Sequence, residues 1–302
     1  MSIYVEILVR APMDALWAHT QTPVLHERWD LRFSEIDYLP RIDDRSPQRF
    51  RYATRIGFGL AVSGEGETTG QRDLPDGTST SALRFTSDAR LSIIREGSGY
   101  WKYIPARDGV RFLTWYDYRT RFGAVGAVAD RWIFRPLIGW ATAWSFDRLR
   151  LWLEKRIDPR VAVRHTLIHL VARVALAAVL AYQGIVPKLL VRHGDEIAMI
   201  GAAGVPTSLR LAAVAALGFA ELAMAVVLLV AWARSWPAWL LLAAIPIATS
   251  VVALSSPASF EAAFNPFSLN LSVAALAAID LLVIARVPSA GRCLRRPAPE
   301  ER

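Results

Sequence analysis

One cysteine, Cys293, occurs in 302 residues, so no disulfide can form within the chain. The opening MSIYVEILVRAP lacks a basic segment followed by a long apolar core, which predicts no cleaved secretory signal. Charge is the next scarcity. Between Leu211 and Ala285 the only Asp, Glu, Lys, Arg or His side chains are Glu221, Arg234, Glu261 and Asp280. A stretch so poor in charge cannot make a water-facing surface, and it predicts burial in a bilayer. Familiar catalytic signatures are missing too. The glycines between Gly64 and Gly70 are wrongly spaced for a dinucleotide fingerprint and fall in strand-rich sequence. No Ser-His-Asp or Cys-His set can be assembled, and His19 and His26 have no evident acid or nucleophile partner.

What is present divides the chain in two. Residues 1–160 carry 24 of the 35 Lys and Arg and 20 of the 27 Asp and Glu, as a water-soluble domain would. Beyond them, apolar runs at 167–186, 209–230, 238–254 and 269–285 are long enough for four spans. Pro246 should bend the third, and Trp232, Trp236 and Trp239 sit where interfacial anchors belong. Twelve Lys and Arg flank the expected inner ends, among them Arg148, Arg164, Arg234, Arg286 and Arg302. The expected outer loops hold Lys188, Arg192 and Arg210. This asymmetry places both termini in the cytoplasm of an inner-membrane protein. It also explains the net charge of +8 without invoking nucleic acid.

In the first half, Ile3, Val5, Ile7 and Val9 alternate as one strand face, and 13–20 and 23–29 read as short helices. Strands are expected near 31–40, 47–57, 59–72, 79–87, 90–105 and 109–122, with Asp76-Gly77 and Asp108-Gly109 as turns. From Gly123 to about Ile157 the period becomes helical, with Pro136 as a kink or restart. The opening VEILVRAPMDALWAHT, the pair WKYIPARDGVRFLTWYDY and the closing helix resemble the START-like, or SRPBCC, superfamily of polyketide cyclase-like proteins, over residues 1–158. That resemblance implies an α+β helix-grip fold whose curved sheet and long helix enclose an apolar ligand. Trp17, Trp29, Trp101, Tyr103, Phe112, Thr114, Tyr116, Tyr118, Trp140 and Trp144 are the expected lining, an aromatic set suited to an apolar cleft.

The second half resembles the DoxX-like family of four-helix membrane proteins over about residues 165–286. RHTLIHLVARVALAAVLAYQGIVPKLL carries the resemblance, with the following HGDE, Glu221 and NPFSLNLS. Gln183, Gly184, Pro187 and Lys188 form its most specific motif, expected in a loop after span one, and residues 287–302 are expected to be a basic cytoplasmic tail. The resemblance implies membrane complexes, some quinone-linked, so quinone is the one cofactor suggested. At about 1.5 Å per residue, Arg173 and Asp280 lie at matching depths of about 9 Å and Glu221 at about 13 Å, which predicts one polar cluster. His165 and His169 have a metal-compatible spacing but no third ligand, and no metal is expected.

These features point to a membrane protein whose cytoplasmic domain binds an apolar small molecule or lipid, in a sensing, transfer or accessory role. A subunit of a quinone-linked membrane oxidoreductase and a cyclase-like enzyme are the alternatives. The partners expected are the bilayer, the apolar ligand and a membrane complex.

Overall fold

The computed structural model describes residues 2–41, 43, 46–263 and 265–297. They form two compact units, residues 1–162 with 288–302, and residues 163–287. Arg302, counted among the inner-end basic residues above, lies outside the described residues.

The first unit is built on one antiparallel sheet of seven strands, in the order β1-β7-β6-β5-β4-β3-β2. β1 (Ile3–Val9) is followed by α1 (Met13–Gln21) and α2 (Pro23–Trp29). Then come β2 (Glu35–Tyr38), β3 (Arg49–Gly57), β4 (Leu60–Asp73), β5 (Ser79–Thr86), β6 (Ile94–Ala106) and β7 (Gly109–Thr120). Period-two alternation puts Val110, Phe112, Thr114, Tyr116 and Tyr118 on the concave face, with Ile3, Val5 and Ile7 of β1 opposite Tyr116, Thr114 and Phe112. A short α3 (Gly123–Ala129) runs through a π-helical turn (Asp130–Phe134) into α4 (Arg135–Lys155). Pro136 lies just after the π-helical turn, and the wider turn carries the continuous helix past its missing N–H. Ala143, Phe146 and Leu149 of α4 pack with Val5, Ile7 and Phe112 into one core. A curved sheet gripping a long C-terminal helix is the helix-grip arrangement that the sequence suggested.

The C-terminal segment does not stand apart as a tail. Glu6 and Leu294 exchange backbone hydrogen bonds of 3.0 and 2.9 Å, covering the free edge of β1. The Asp147 carboxylate of α4 accepts from the Ser289 N–H and from Arg292, both at 2.8 Å, and Cys293 is buried against Ala143. Composition alone marks this segment as basic, and charge says nothing of an edge strand waiting for a partner.

The second unit holds the four candidate spans, in the helices Pro159–Leu190, Thr207–Val230, Trp236–Ser255 and Pro266–Ile284. α5 (Pro159–Gln183) continues without a break into a π-helical segment (Gly184–Leu190). The expected motif loop is therefore the last two turns of the first span. Pro187 supplies no N–H, and the wider turn carries the chain past it. The charged stretch that follows opens a helix, α6 (Gly194–Ala202), with Asp195 and Glu196 in its first turn, where the helix dipole favours acids. α7 (Arg210–Val230), α8 (Trp236–Ser255) and α9 (Pro266–Ile284) complete the unit. α8 runs through Pro246, and Asn265 caps α9 by accepting from the Ser268 N–H at 2.9 Å. The interior is built from small and branched residues such as Ala177, Ala225, Ala238, Val273 and Ala277. Such residues suit helices that gain little hydrophobic energy from touching each other in lipid.

Candidate functional site

The concave face of the sheet has two regions. Where α4 crosses it, the aromatic rings pack against each other. Phe112 stacks on Phe146 at 4.4 Å between centroids, Tyr103 lies 5.1 Å from Phe112, and Trp29 meets Trp101 and Phe146 at about 6 Å. Trp17 closes on Tyr103 at 5.0 Å, and the Tyr103 hydroxyl meets the Thr20 hydroxyl at 2.7 Å and accepts from Gln21 at 2.9 Å. Of the expected lining, Trp17, Trp29, Trp101, Tyr103 and Phe112 are therefore core, and the Thr114 hydroxyl is held by the Tyr100 carbonyl at 3.1 Å. Trp140 and Trp144 lie elsewhere. They stack on each other, Trp140 is exposed, and Arg148 lies over the Trp144 ring. The residues of α4 that face the sheet are Thr142 and Phe146. Positions two residues away on a helix are turned by about 200°, so the four-residue Trp spacing marked the wrong stripe.

Away from α4 the face is open. The register aligns Phe50, Gly66, Phe85, Gly97 and Tyr118 across five strands. The ring of Phe50 lies over Gly66, that of Tyr52 over Gly64 and that of Phe85 over Gly97, in space a Cβ would otherwise fill. With glycine beneath them the rings lie along the sheet and stay half-buried, forming a floor instead of a plug. Phe33 stands edge-on to Tyr52 at 5.6 Å, and the Arg32 guanidinium lies over both Phe33 and Tyr116.

Charged groups missing from the sequence reading border this floor. Asp30, fully buried, accepts two hydrogen bonds from the Arg32 guanidinium (2.9 and 2.7 Å), one from the Arg32 backbone N–H (3.0 Å) and one from His26 (3.0 Å). His26 thus has an acid partner four residues on, an i,i+4 spacing readable from sequence once α2 is taken as a helix. Burial pushes the Asp30 carboxyl up, but the Arg32 charge and the bonds from His26 and Arg32 outweigh it and hold the group below the usual carboxylate range. Burial alone would depress Arg32, and Asp30 more than reverses it. On the other side, the Tyr118 hydroxyl donates to buried Asp130 at 2.6 Å, and Asp130 also accepts from Arg135 at 2.8 Å. Burial and the bond to Asp130 push the Tyr118 phenol far up, so it stays a neutral donor. The Tyr116 and Thr142 hydroxyls meet at 2.9 Å. Asp130 opens the π-helical turn before α4, a local irregularity that propensity does not reveal.

In the membrane unit the structure joins Arg173 to Asp280 but not to Glu221. Arg173 donates to Asp280 at 3.1 Å, to the Leu228 and Ala231 carbonyls at 2.9 Å, and to the Arg234 carbonyl. His169 bridges Asp280 (2.5 Å) and the Trp232 carbonyl (3.0 Å) through its two ring nitrogens. All three side chains are fully buried. His165, four residues before His169, does not join them. Glu221 lies instead with Lys188, whose ammonium is 3.1 Å from Glu221 and 3.3 Å from Glu196. Arg173 reaches the carbonyls at the C-terminal end of α7. Glu221 is seven residues before Leu228, about 10 Å away along the helix, so the charges expected to form one cluster form two sites. Gly184 and Gly218 let the π-helical segment and α7 approach closely, which brings Lys188 to Glu221. Gln183 contributes its carbonyl to Lys188 at 3.4 Å, and Pro187 supplies the turn.

These two units define an integral membrane protein that pairs a helix-grip domain with a DoxX-like bundle of four apolar helices. The sequence pattern of the DoxX-like family matches residues 177–278. The uncharacterized membrane protein YndG of Bacillus subtilis (strain 168) is 43% identical over 235 residues, 78% of this chain and 79% of that protein. The chain belongs to the same family of membrane proteins as YndG. Among solved structures, a STAR-related lipid transfer protein from Xanthomonas axonopodis is similar at 17% identity and a TM-score of 0.39, over 51% of this chain and 85% of that one. The di-domain ARO/CYC StfQ of the steffimycin biosynthetic pathway is similar at 16% identity and a TM-score of 0.40, over 51% of each chain.

Proposed function

We propose that the first unit holds an apolar small molecule or lipid at the membrane, in a sensing, transfer or accessory role on the cytoplasmic side. One observation carries this reading: the half-buried ring floor of Phe50, Tyr52 and Phe85 laid over glycines, beside the packed core and not within it. An apolar body lies against ring faces, while Arg32, Tyr116 and Tyr118 offer polar atoms that orient one end. The floor shares only Tyr116 and Tyr118 with the lining expected from sequence. Burying about 200 Å² of apolar ligand surface at about 25 cal/mol/Å² offers about 5 kcal/mol before the costs of association.

The test uses the full chain, because residues 288–297 complete the first unit. Native mass spectrometry of the detergent-extracted protein should release a bound lipid or apolar metabolite. Phe50→Ala with Tyr52→Ala should abolish that species while circular dichroism is unchanged. A bound species indifferent to these changes, or a folded chain that takes up no fluorescent fatty-acid probe, removes the reading. Lys188 between two carboxylates favours a second reading, a quinone-linked accessory subunit, since such groups can exchange protons with a bound carbonyl compound. That reading requires quinone in the extract, lost on Lys188→Met and retained in the Phe50/Tyr52 variant.

A further inference from the structure

The first and fourth of four successive spans run in opposite directions, and the bonds of Asp280 to His169 and Arg173 fix their levels. Asp280 is level with the turn from His169 to Arg173. His165 precedes the middle of that turn by six residues, and Arg286 follows Asp280 by six. Both therefore lie at one level, about 9 Å from the ion pair toward the same end of the bundle. The Arg286 charge acts on the His165 ring. His165 stands two residues before the apolar run that opens at Leu167, and Arg286 directly follows the run that closes at Ala285, so this level is that of the lipid headgroups.

The groups at this corner select a ligand. The Nδ1 atom of His165 is buried and has no hydrogen-bond partner among the described residues, whereas buried polar atoms normally have one. Arg164, Arg234 and Arg286 are exposed, with no carboxylate within ion-pair distance among the described residues. Arg234 belongs to the same end, because its carbonyl accepts from Arg173. The acids of the unit are committed or distant. Asp280 serves His169 and Arg173, Glu196 and Glu221 flank Lys188, Asp195 lies beside His193, and Glu261 precedes α9 at its opposite end. Trp236 and Trp239, each at least half exposed, open α8 at the arginine end, as interfacial anchors do. Unbalanced cations around an orphaned ring nitrogen suit a group that is anionic, accepts hydrogen bonds and brings no ammonium of its own. In a bilayer that group is the phosphodiester of an anionic phospholipid. We infer that His165 and Arg286 hold the phosphate of one anionic phospholipid between the first and fourth spans, with Arg164 and Arg234 adding attraction at longer range. The site lies wholly in the second unit and does not rest on the ring floor.

The experiment is native mass spectrometry of the delipidated full chain, titrated with phosphatidylglycerol or with phosphatidylcholine of the same acyl chains. The first phosphatidylglycerol should bind roughly tenfold more tightly than phosphatidylcholine. Arg286→Gln and His165→Leu should each weaken it by roughly tenfold, the loss of one hydrogen bond to a charged group. Arg286→Lys should retain most of the affinity, since a phosphate also accepts a point charge. Arg192→Gln removes the same charge at the other end of the bundle and should change nothing. Thermal unfolding in detergent confirms that each variant keeps its fold. Phe50→Ala with Tyr52→Ala should leave this lipid bound, which separates it from any ligand of the ring floor. Equal affinity for the two lipids, or equal losses in Arg286→Gln and Arg192→Gln, would reveal only diffuse attraction to charge and overturn the inference. Displacement of the lipid by millimolar inorganic phosphate would overturn it as well, making free phosphate the ligand.

Discussion

Asp280 receives Arg173 on one carboxylate oxygen at 3.1 Å and His169 on the other at 2.5 Å, with all three side chains sealed from solvent. The residues come from the first and fourth spanning helices, and the carbonyls of Leu228, Ala231 and Trp232 add the end of the second. Three of the four helices are thus tied at one level by charge-assisted hydrogen bonds. Buried ions of this kind fix partners and register more than they add stability.

Asp280→Ala should therefore destabilise the bundle by about 3–5 kcal/mol, because Arg173 is left charged in a dry site. Arg173→Leu combined with Asp280→Leu should recover part of that loss. Recovery stays incomplete while His169 and the freed carbonyls lack partners, and adding His169→Leu should recover a further part by removing the unpaired ring. Thermal unfolding in detergent measures each step. Strictly additive losses across the double variant would show that the pair is not coupled.

The Lys188 site behaves oppositely under substitution. One ammonium faces two carboxylates, so Lys188→Met leaves Glu196 and Glu221 repelling each other and should cost more than Glu221→Gln, by about 1–3 kcal/mol. In Lys188→Met, adding Glu221→Gln should restore stability. If Glu221→Gln proves the more damaging single change, Lys188 is not what holds this corner together.

How far the sequence reveals these sites follows from what each depends on. Strand faces repeat every two residues and helical spans are long, so β7 and the four spans are legible from pattern alone. Arg173 and Asp280 were readable as neighbours because few charges occur in the apolar stretches. Depth is one coordinate only, and it could not tell that Glu221 faces Gly184 while Arg173 faces the other end of α7. Trp140 and Trp144 drew attention by their spacing, yet which side of α4 meets the sheet is decided by Thr142, Phe146 and Leu149. The ring floor was hidden for a different reason. Its signal is the glycine on the neighbouring strand, and pairing register is not visible in a single sequence. The C-terminal segment was hidden likewise, since its partner Glu6 is nearly three hundred residues away.

Acid should loosen the first unit through Asp30. Its folded pKa lies below the ordinary value of 3.8, so its contribution to stability is complete above that value and is lost as pH falls below it. Asp30→Asn should lower stability at neutral pH by about 3 kcal/mol or more, since Arg32 then lacks its counter-charge. The same variant should lose less stability than the parent between about pH 5 and pH 2. Melting temperatures of the two chains across that range, followed by tryptophan emission, measure the difference. Parallel curves would mean that Asp30 does not sense the acid transition.

Cys293 reports whether the C-terminal segment stays folded onto the first unit. Burial, with the Asp147 carboxylate adding to it, pushes its thiol up to about 12 against the opposing pull of nearby arginines, so thiolate is scarce near neutral pH. Its sulfur lies 3.2 Å from the Ala143 carbonyl and has little access to reagent. An impermeant maleimide should therefore label the native protein slowly from either side of the membrane, and denaturant should release the reaction. Asp147→Ala removes the carboxylate that holds Ser289 and Arg292, and should raise the labelling rate roughly tenfold by local opening without global unfolding. Both chain ends belong to one unit, and four crossings, being an even number, return the chain to the side it left. Faster labelling in Asp147→Ala should accordingly appear in inverted vesicles and not in intact cells, given the cytoplasmic orientation proposed for the termini. Rapid labelling of the native parent chain would show that the segment is not held against α4. Labelling of the variant from outside the cell would reverse the orientation.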